Sequence, residues 1–264
     1  MADNEHRSCG KSVAMRPIMG RIAAAAVAFV VVQLPGAAQA TEVAAETTSP
    51  LAMVALLAVM ALLPFLLIMV TSFVKVAVVL SILRTAIGAQ QVPPNQIITG
   101  LAIVLSVYIM APVAMDMYDE LRPHMEAYEE EELEINLENL ESVAGEVAEP
   151  LREFLLAHAD EQDRQMLHRL AVEMRDGEAE GLTDESFLVI IPAFVVSQLR
   201  LAFIIGFILF VPFIVIDLVV ANVLLSLGMH MLSPTTISLP FKLLLFVLVD
   251  GWYLVVKGLI LGYM

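Results

Sequence analysis

The chain has 264 residues, of which 59% are hydrophobic and 16% are charged, and its mean hydropathy is +0.82. This composition excludes an ordinary soluble domain and indicates an integral membrane protein. The net charge of −15 comes from one segment, because residues 116–185 contain 23 acidic and five basic side chains. A strongly acidic insert is therefore joined to a slightly basic membrane part. The only cysteine, Cys9, excludes a disulfide within the chain and a cluster of cysteine metal ligands.

The first 40 residues have the parts of a secretory signal peptide. Arg16 and Arg21 precede the apolar run IAAAAVAFVVVQL, and AAQA follows, ending at Ala40. A positive region, a short apolar region and small residues at the end predict cleavage after Ala40. An N-terminal anchor that is retained is the alternative.

N-terminal membrane helices are predicted in residues 41–115. Residues 51–70 carry no charge and are long enough to span a bilayer. Apolar character continues to Leu83, which is too long for one straight span and too short for two. Pro64 and residues 71–72 allow a bend. After the motif QQVPPN, which ends a helix, the apolar residues 97–115 predict another helix.

The polar insert, residues 116–186, is predicted to be a small acidic helical domain. The run EEEE at residues 129–132 is typical of a solvated surface. Two amphipathic stretches follow, with Pro150 in the first turn of one and Asp160 capping the other, which indicates an αα-hairpin. His158 and His168 are expected on its solvated faces.

The topology follows from the basic residues. Lys75 and Arg84 lie in a short connection between apolar runs, and such connections stay cytoplasmic. The insert is therefore predicted on the periplasmic side. Residues 187–264 are nearly all apolar, with prolines at four positions, and predict two to four further segments. The fold class expected is all-α, with bent membrane helices.

Seven charged residues lie in or beside the apolar segments: Lys75, Arg84, Arg200, Asp217, Lys242, Asp250 and Lys257. An ionisable group at membrane depth costs roughly 2.5–3.5 kcal/mol unless it is paired or faces water. We expect these groups to pair across helices or subunits, and a proton or ion relay is the alternative. On one helix, Asp250 would share a face with Lys257. The spacing GxxxG at residues 258–262 favours close approach of helices.

The sequence LLSLGMHMLSP places Met229, His230 and Met231 in a turn bounded by glycine and proline. Thioether and imidazole ligands suit Cu(I), so a copper site is one interpretation. Simple apolar filling is another. A flexible thioether seal across a channel is the third, because unbranched side chains adapt to what passes and close by dewetting. No P-loop, GxSxG, HExxH or Cys–His nucleophile pair is present, so we predict neither an enzyme nor a cofactor.

Two long stretches resemble the FliP/SctR export-gate proteins of type III secretion. Residues 71–113 contain the motif QQVPPN, and residues 191–252 contain ISLPFK and VLVDGW. The last eight residues, KGLILGYM, resemble virulence-type injectisome members, the YscR-like branch, more than flagellar ones. The signal-like N-terminus and the acidic insert are not part of the resemblance.

The resemblance implies a non-enzymatic pore subunit in the bacterial inner membrane, built from bent helical hairpins. Family members form a homopentameric ring with a small hairpin subunit, a single larger subunit and a switch subunit, and they pass unfolded secreted proteins. The methionine gate of the family maps onto Met229, His230 and Met231, although members often have a third methionine at position 230. No nucleic acid is expected. A copper- or proton-coupled transporter of small solutes is the alternative function.

Overall fold

The computed structural model describes residues 50–88, 93–129, 137–175 and 181–264. Within these ranges the regular elements are all helices, as predicted: α1 Pro50–Met69, α2 Phe73–Ile87, α3 Asn95–Glu129, α4 Leu137–Val147, α5 Glu149–His158, α6 Glu161–Glu173, α7 Phe187–Ser226, α8 Pro234–Leu248 and α9 Gly251–Leu261. The predicted signal peptide, residues 1–40, lies outside the described residues.

The chain divides into two compact units, residues 1–63 and residues 64–264. Of the first unit, the structure describes only the uncharged N-terminal part of α1. Pro64 lies inside α1 and does not end it, whereas the chain turns after Met69, at the predicted residues 71–72. All the packing described below belongs to the second unit.

Helix α2 forms the centre of the main hydrophobic core. Val76, Val79 and Leu83 recur at helical spacing and are almost fully buried against residues of α3 and α7. Gly206 of α7 permits this close packing, because a Cβ atom at position 206 would lie 2.4 Å from Cδ1 of Ile82. The apolar stripe of α2 is therefore covered by protein.

Helices α3 and α7 are each long and apolar enough to cross a membrane. The helix pairs α1–α2 and α8–α9 each contain a bend of more than 40°, and counting each pair as one span gives at most four spans in the described residues. With ~1.5 Å rise per residue, the 40 residues of α7 extend about 60 Å, twice the thickness of a ~30 Å hydrocarbon layer. Part of α7 therefore projects beyond the bilayer.

Helix α3 also continues farther than its apolar run, through polar residues to Glu129. Pro112 and Pro123 lie inside it without ending it. The sequence predicted a helix only to residue 115, where the apolar residues stop. A helix needs no apolar face once it leaves the lipid, because water satisfies its polar surface.

The acidic insert packs against the N-terminal part of α7. Phe154 and Leu155 of α5 are buried together with Ile190 and Phe194 of α7. The insert is helical, as predicted, and Asp160 caps α6 by accepting a hydrogen bond of 2.8 Å from the backbone N–H of Gln162. Its core is thus shared with the N-terminal part of α7.

A sharp elbow joins α8 to α9, whose axes differ by 60°. Asp250 at the elbow has φ +51°, the left-handed conformation that glycine and asparagine adopt most easily. Gly251 follows, where a Cβ atom would lie 2.2 Å from the ring of Phe246. This corrects the expectation that a continuous helix carries Asp250, since α8 ends at Leu248.

Candidate pore loop and buried charges

The turn between α7 and α8 carries the three residues predicted to form a gate. Met231 is 98% exposed and Met229 is 45% exposed, and His230 is exposed as well. Leu227 and Leu232 beside the turn are exposed as well, and a contiguous exposed apolar patch marks a contact site for protein or membrane. Within the described residues, no group of three or more His, Cys, Asp or Glu side chains could hold a metal ion.

The turn is built by its flanking residues. Gly228 has φ +72° and ends α7, and the backbone N–H of Met229 donates to the carbonyl of Leu224 at 3.0 Å. Pro234 occupies the first turn of α8, where its missing N–H costs nothing. Both ends of the turn are fixed by backbone geometry, so the side chains between them are free to make other contacts.

The base of the α7–α8 hairpin holds a buried ion pair. Lys242 of α8 is 4% exposed, and its Nζ atom lies 2.7 Å from a carboxylate oxygen of Asp217 on α7. The hydroxyl of Ser238 donates to the other oxygen of that carboxylate. Removing one partner of such a buried pair costs roughly 3–5 kcal/mol, because the other charge is left uncompensated.

The same ammonium group also ties the hairpin to α2. Lys242 Nζ donates to the carbonyl of Ala86 at 3.2 Å, in the last turn of α2. The last carbonyls of a helix lack partners within the helix, and a cation there is favoured by the helix dipole. Lys242 therefore joins three helices at one point.

Lys75 occupies a second buried site. It is 2% exposed, and Nζ donates to the carbonyl of Gly262 at 3.2 Å and lies 3.4 Å from the centre of the Tyr263 ring. No carboxylate pairs with Lys75 among the described residues. A backbone carbonyl and a cation–π contact stabilise the ammonium instead.

Tyr263 connects this site to the insert. Its hydroxyl donates to Gln198 of α7 at 2.8 Å, and the amide of Gln198 donates to the carbonyl of His158 at 2.8 Å. The His158 ring lies 5.0 Å from the Tyr263 ring. His158 is therefore half-buried, and its predicted place on a solvated face is wrong. His168 is also half-buried, with Nε2 3.1 Å from the carbonyl of Leu182, so the same prediction is wrong for it.

Arg200 anchors the insert to α7. Its guanidinium forms a salt bridge with Asp163 of α6, and Asp160 lies 3.6 Å away. The hydroxyl of Ser197 donates to Asp163 at 2.8 Å, and the backbone N–H of Asp160 donates to Ser197. Because Asp163 is buried, these bonds satisfy a carboxylate that would otherwise be costly.

The other three predicted charges behave differently. Arg84 donates to the side chain of Asn95, the first residue of α3. Asp250 and Lys257 are exposed, and neither enters an ion pair with the described residues. Of the seven charges, only Asp217 and Lys242 are brought together as a pair.

Sequence reasoning missed the neutral residues of these networks. Ser238, Gln198 and Tyr263 each make a buried hydrogen bond to a charged or polar partner on another segment. Gln198 lies in the mostly apolar run of α7, beside Ser197, and is fully buried. A polar residue in such a run was the available signal, because it must find a partner within the protein.

Comparison with known proteins identifies the family of this chain. Residues 56–259 match the model of the FliP family. The chain belongs to the FliP family. It is 46% identical over 215 residues to "Yop proteins translocation protein R" of Yersinia pestis, covering 80% of this chain and 95% of the relative. The resemblance inferred from the sequence motifs is thereby confirmed.

Relatives with different names share the same region. The flagellar biosynthetic protein FliP of Bacillus subtilis is 41% identical over 219 residues, covering 83% of this chain and 94% of the relative. The hypersensitivity response secretion protein HrcR of Ralstonia nicotianae is 40% identical over 204 residues, covering 77% and 92%. The family thus includes proteins named for translocation, secretion and flagellar biosynthesis.

Proposed function

We propose that the chain is a core pore-forming subunit of a type III secretion export apparatus in the bacterial inner membrane. Its FliP-family membership and its membrane-spanning helices support this function. Secreted proteins would pass unfolded through a conduit built by five copies, with the small hairpin, larger and switch subunits as partners. The relatives cited above are not named for catalysis or for transport of copper or small solutes.

The exposed methionine turn is the observation that carries the gate. Met229 and Met231 stand at the end of a hairpin whose buried ion pair, Asp217 with Lys242, is satisfied at its base. Thioethers exposed in one copy can be buried against the same turn of other copies. A ring of them would form an apolar constriction that excludes water and ions when no substrate is present.

Opening requires the turn to change shape without unfolding the hairpin. Methionine side chains have three rotatable bonds and no branches, so they repack around diverse segments of polypeptide. The buried Asp217–Lys242 pair fixes α7 against α8 below the turn. We infer that the gate moves while its support stays fixed.

The gate is tested by replacing Met229 and Met231 with alanine together. The shorter side chains leave a wider, wetter constriction, so leakage of small ions through the resting complex should rise severalfold. Conductance of the reconstituted complex in planar bilayers measures it. Ile208→Ala, at an exposed position of α7 far from the turn, serves as the control. Unchanged leakage in a fully assembled double variant would refute the gate.

We also propose the injectisome branch and a periplasmic insert. The C-terminal KGLILGYM supports the branch. Lys75 lies inside α2 and is buried, which corrects its assignment to a connection between apolar runs, so only Arg84, in the last turn of α2 before α3, still supports a periplasmic insert. An impermeant thiol reagent added to intact cells tests the insert, using a cysteine at the exposed Met174 in a chain with Cys9→Ser. Labelling from the periplasmic side is expected, and labelling only after lysis would contradict it.

A further inference from the structure

The outward face of α9 combines apolar residues with two opposite charges. The residues that recur on this face are all exposed: Tyr253, Leu254, Lys257 and Leu261. Asp250, also exposed, directly precedes the first turn of α9. The opposite face, with Val255 and Leu259, is buried in the main core. Packing within the described residues therefore leaves one face of α9 uncovered.

The carboxylate of Asp250 has no partner among the described residues. Its left-handed backbone conformation is one that aspartate and asparagine adopt more easily than other residues with a side chain. The side chain makes no capping hydrogen bond to α9 and enters no salt bridge with any described residue. Asp250 follows the C-terminal end of α8, where the helix dipole disfavours a negative charge, and precedes the N-terminal end of α9, where the dipole favours one. Contacts within the described chain therefore leave the carboxylate unpaired.

Contact of this face of α9 with lipid would be unfavourable. Helices α8 and α9 together form one candidate bent span, and Asp250 lies at the bend, near its middle. The short side chain of aspartate cannot reach the water beyond the bilayer, so it needs a polar partner at that depth. Lys257 lies two turns farther along, and its recorded contact is the Tyr253 ring, 5.5 Å from Nζ.

We propose that this face binds a second copy of the same chain, with Asp250 of one copy meeting Lys257 of the next. The proposal rests on the oligomeric ring proposed above. A head-to-tail contact between identical subunits pairs one residue with a different one, and in a closed ring every such pair is complete. One carboxylate and one ammonium on each copy fit that arrangement. Nothing lies within 4 Å of a Cβ built at Gly258, beside the face, so a neighbouring helix can approach there.

Disulfide cross-linking tests the contact directly. The variant is Asp250→Cys with Lys257→Cys, in a chain with Cys9→Ser. Seven helical residues separate the two positions by about 10 Å, which exceeds the ~7 Å between Cα atoms that a disulfide can bridge. Oxidation of the membrane-embedded complex should therefore give covalent species larger than dimers. The two single-cysteine variants are the controls, because one thiol per chain cannot link more than two chains.

The outcomes separate this inference from the proposed function. A native chain that runs as a monomer in detergent contradicts the ring itself. A native assembly that forms but gives no cross-linked species beyond those of the single-cysteine controls overturns the α9 contact alone. Cross-linked species as large as the ring support both.

A double-mutant cycle tests whether the two charges are each other's partners. Asp250→Asn keeps a residue that accepts the left-handed conformation, and Lys257→Met keeps the length of the side chain. Each variant should reduce the assembled fraction at least tenfold, while protease resistance of the insert shows that the chain still folds. The double variant should lose no more than either single one. Losses that multiply, or no losses, would overturn the pairing.

Discussion

The two ends of the α7–α8 hairpin present opposite chemistry. At the base, Lys242 forms an ion pair with Asp217 and donates a hydrogen bond to the end of α2, and Asp217 also accepts a hydrogen bond from Ser238. At the turn, Met231 is almost fully exposed and Met229 is about half exposed, and both are apolar. The charged side chains, whose burial without partners would destabilise the fold, are paired inside one subunit. The methionine side chains, which are stable in apolar surroundings, remain available for contacts with other subunits. Stability and gating are thus assigned to different ends of one element.

The largest effect should follow from damage to the base. Lys242→Met leaves the Asp217 carboxylate without its cation, so the free energy of unfolding should fall by ~3–5 kcal/mol. Denaturant unfolding of the detergent-solubilised protein measures it. The double variant Asp217→Asn, Lys242→Met removes both charges and should recover most of the loss. If Lys242→Met unfolds like the wild type, the division between base and turn is incorrect.

A smaller effect is expected from the packing that supports the base. Gly206→Val places methyl groups where the side chain of Ile82 lies, and overpacking of this kind costs ~1–3 kcal/mol. The same unfolding assay applies. Ile82→Ala should relieve the clash, so the double variant should be more stable than Gly206→Val alone. Additive losses would show that the two side chains do not compete for space.

Tyr263→Phe should have a still smaller effect. The ring over Lys75 is kept, while the hydrogen bond to Gln198 is lost, which costs ~1 kcal/mol. Tyr118→Phe is the matched control, since the Tyr118 side chain is exposed and its hydroxyl makes no hydrogen bond within the described residues. Equal effects of the two variants would remove Tyr263 from the network that supports the hairpin.

The turn should respond with almost no change in stability. His230→Gln replaces an exposed side chain, so the free energy of unfolding should stay within about 0.5 kcal/mol. The two thioethers carry the proposed seal, so resting conductance of the glutamine variant should match that of the wild type. A severalfold change in conductance would show that the imidazole is part of the seal.

The sequence predicts helices and apolar faces better than partners. The runs that became α2, α3 and α7 were recognisable because lipid and core both demand apolar residues. The partner of Lys242 was not predictable, since Asp217 lies 25 residues away on another helix and their meeting depends on how the two pack. His158 was misplaced for the same reason, because its covering residue is Tyr263 at the other end of the chain.

The candidate site shows the same limit. Gly228 and Pro234 identify the turn from local chemistry, because each has a specific backbone role. The elbow at Asp250 was missed, since no proline marks it and the glycine follows rather than occupies the left-handed position. The elbow between α8 and α9 depends on the Phe246 ring packed against Gly251, and such a tertiary contact cannot be predicted from a single sequence.

The bond from Lys242 to Ala86 spans 156 residues of chain, and the bond from Lys75 to Gly262 spans 187. At 5–20 residues per second, ribosomes need on the order of ten seconds or more to make the later partner of each. Throughout that interval, the Ala86 carbonyl of α2 lacks Lys242 and the Lys75 ammonium lacks the Gly262 carbonyl. Helix α2 must therefore be accommodated by the membrane insertion machinery, without these two partners, until the C-terminal helices have been made.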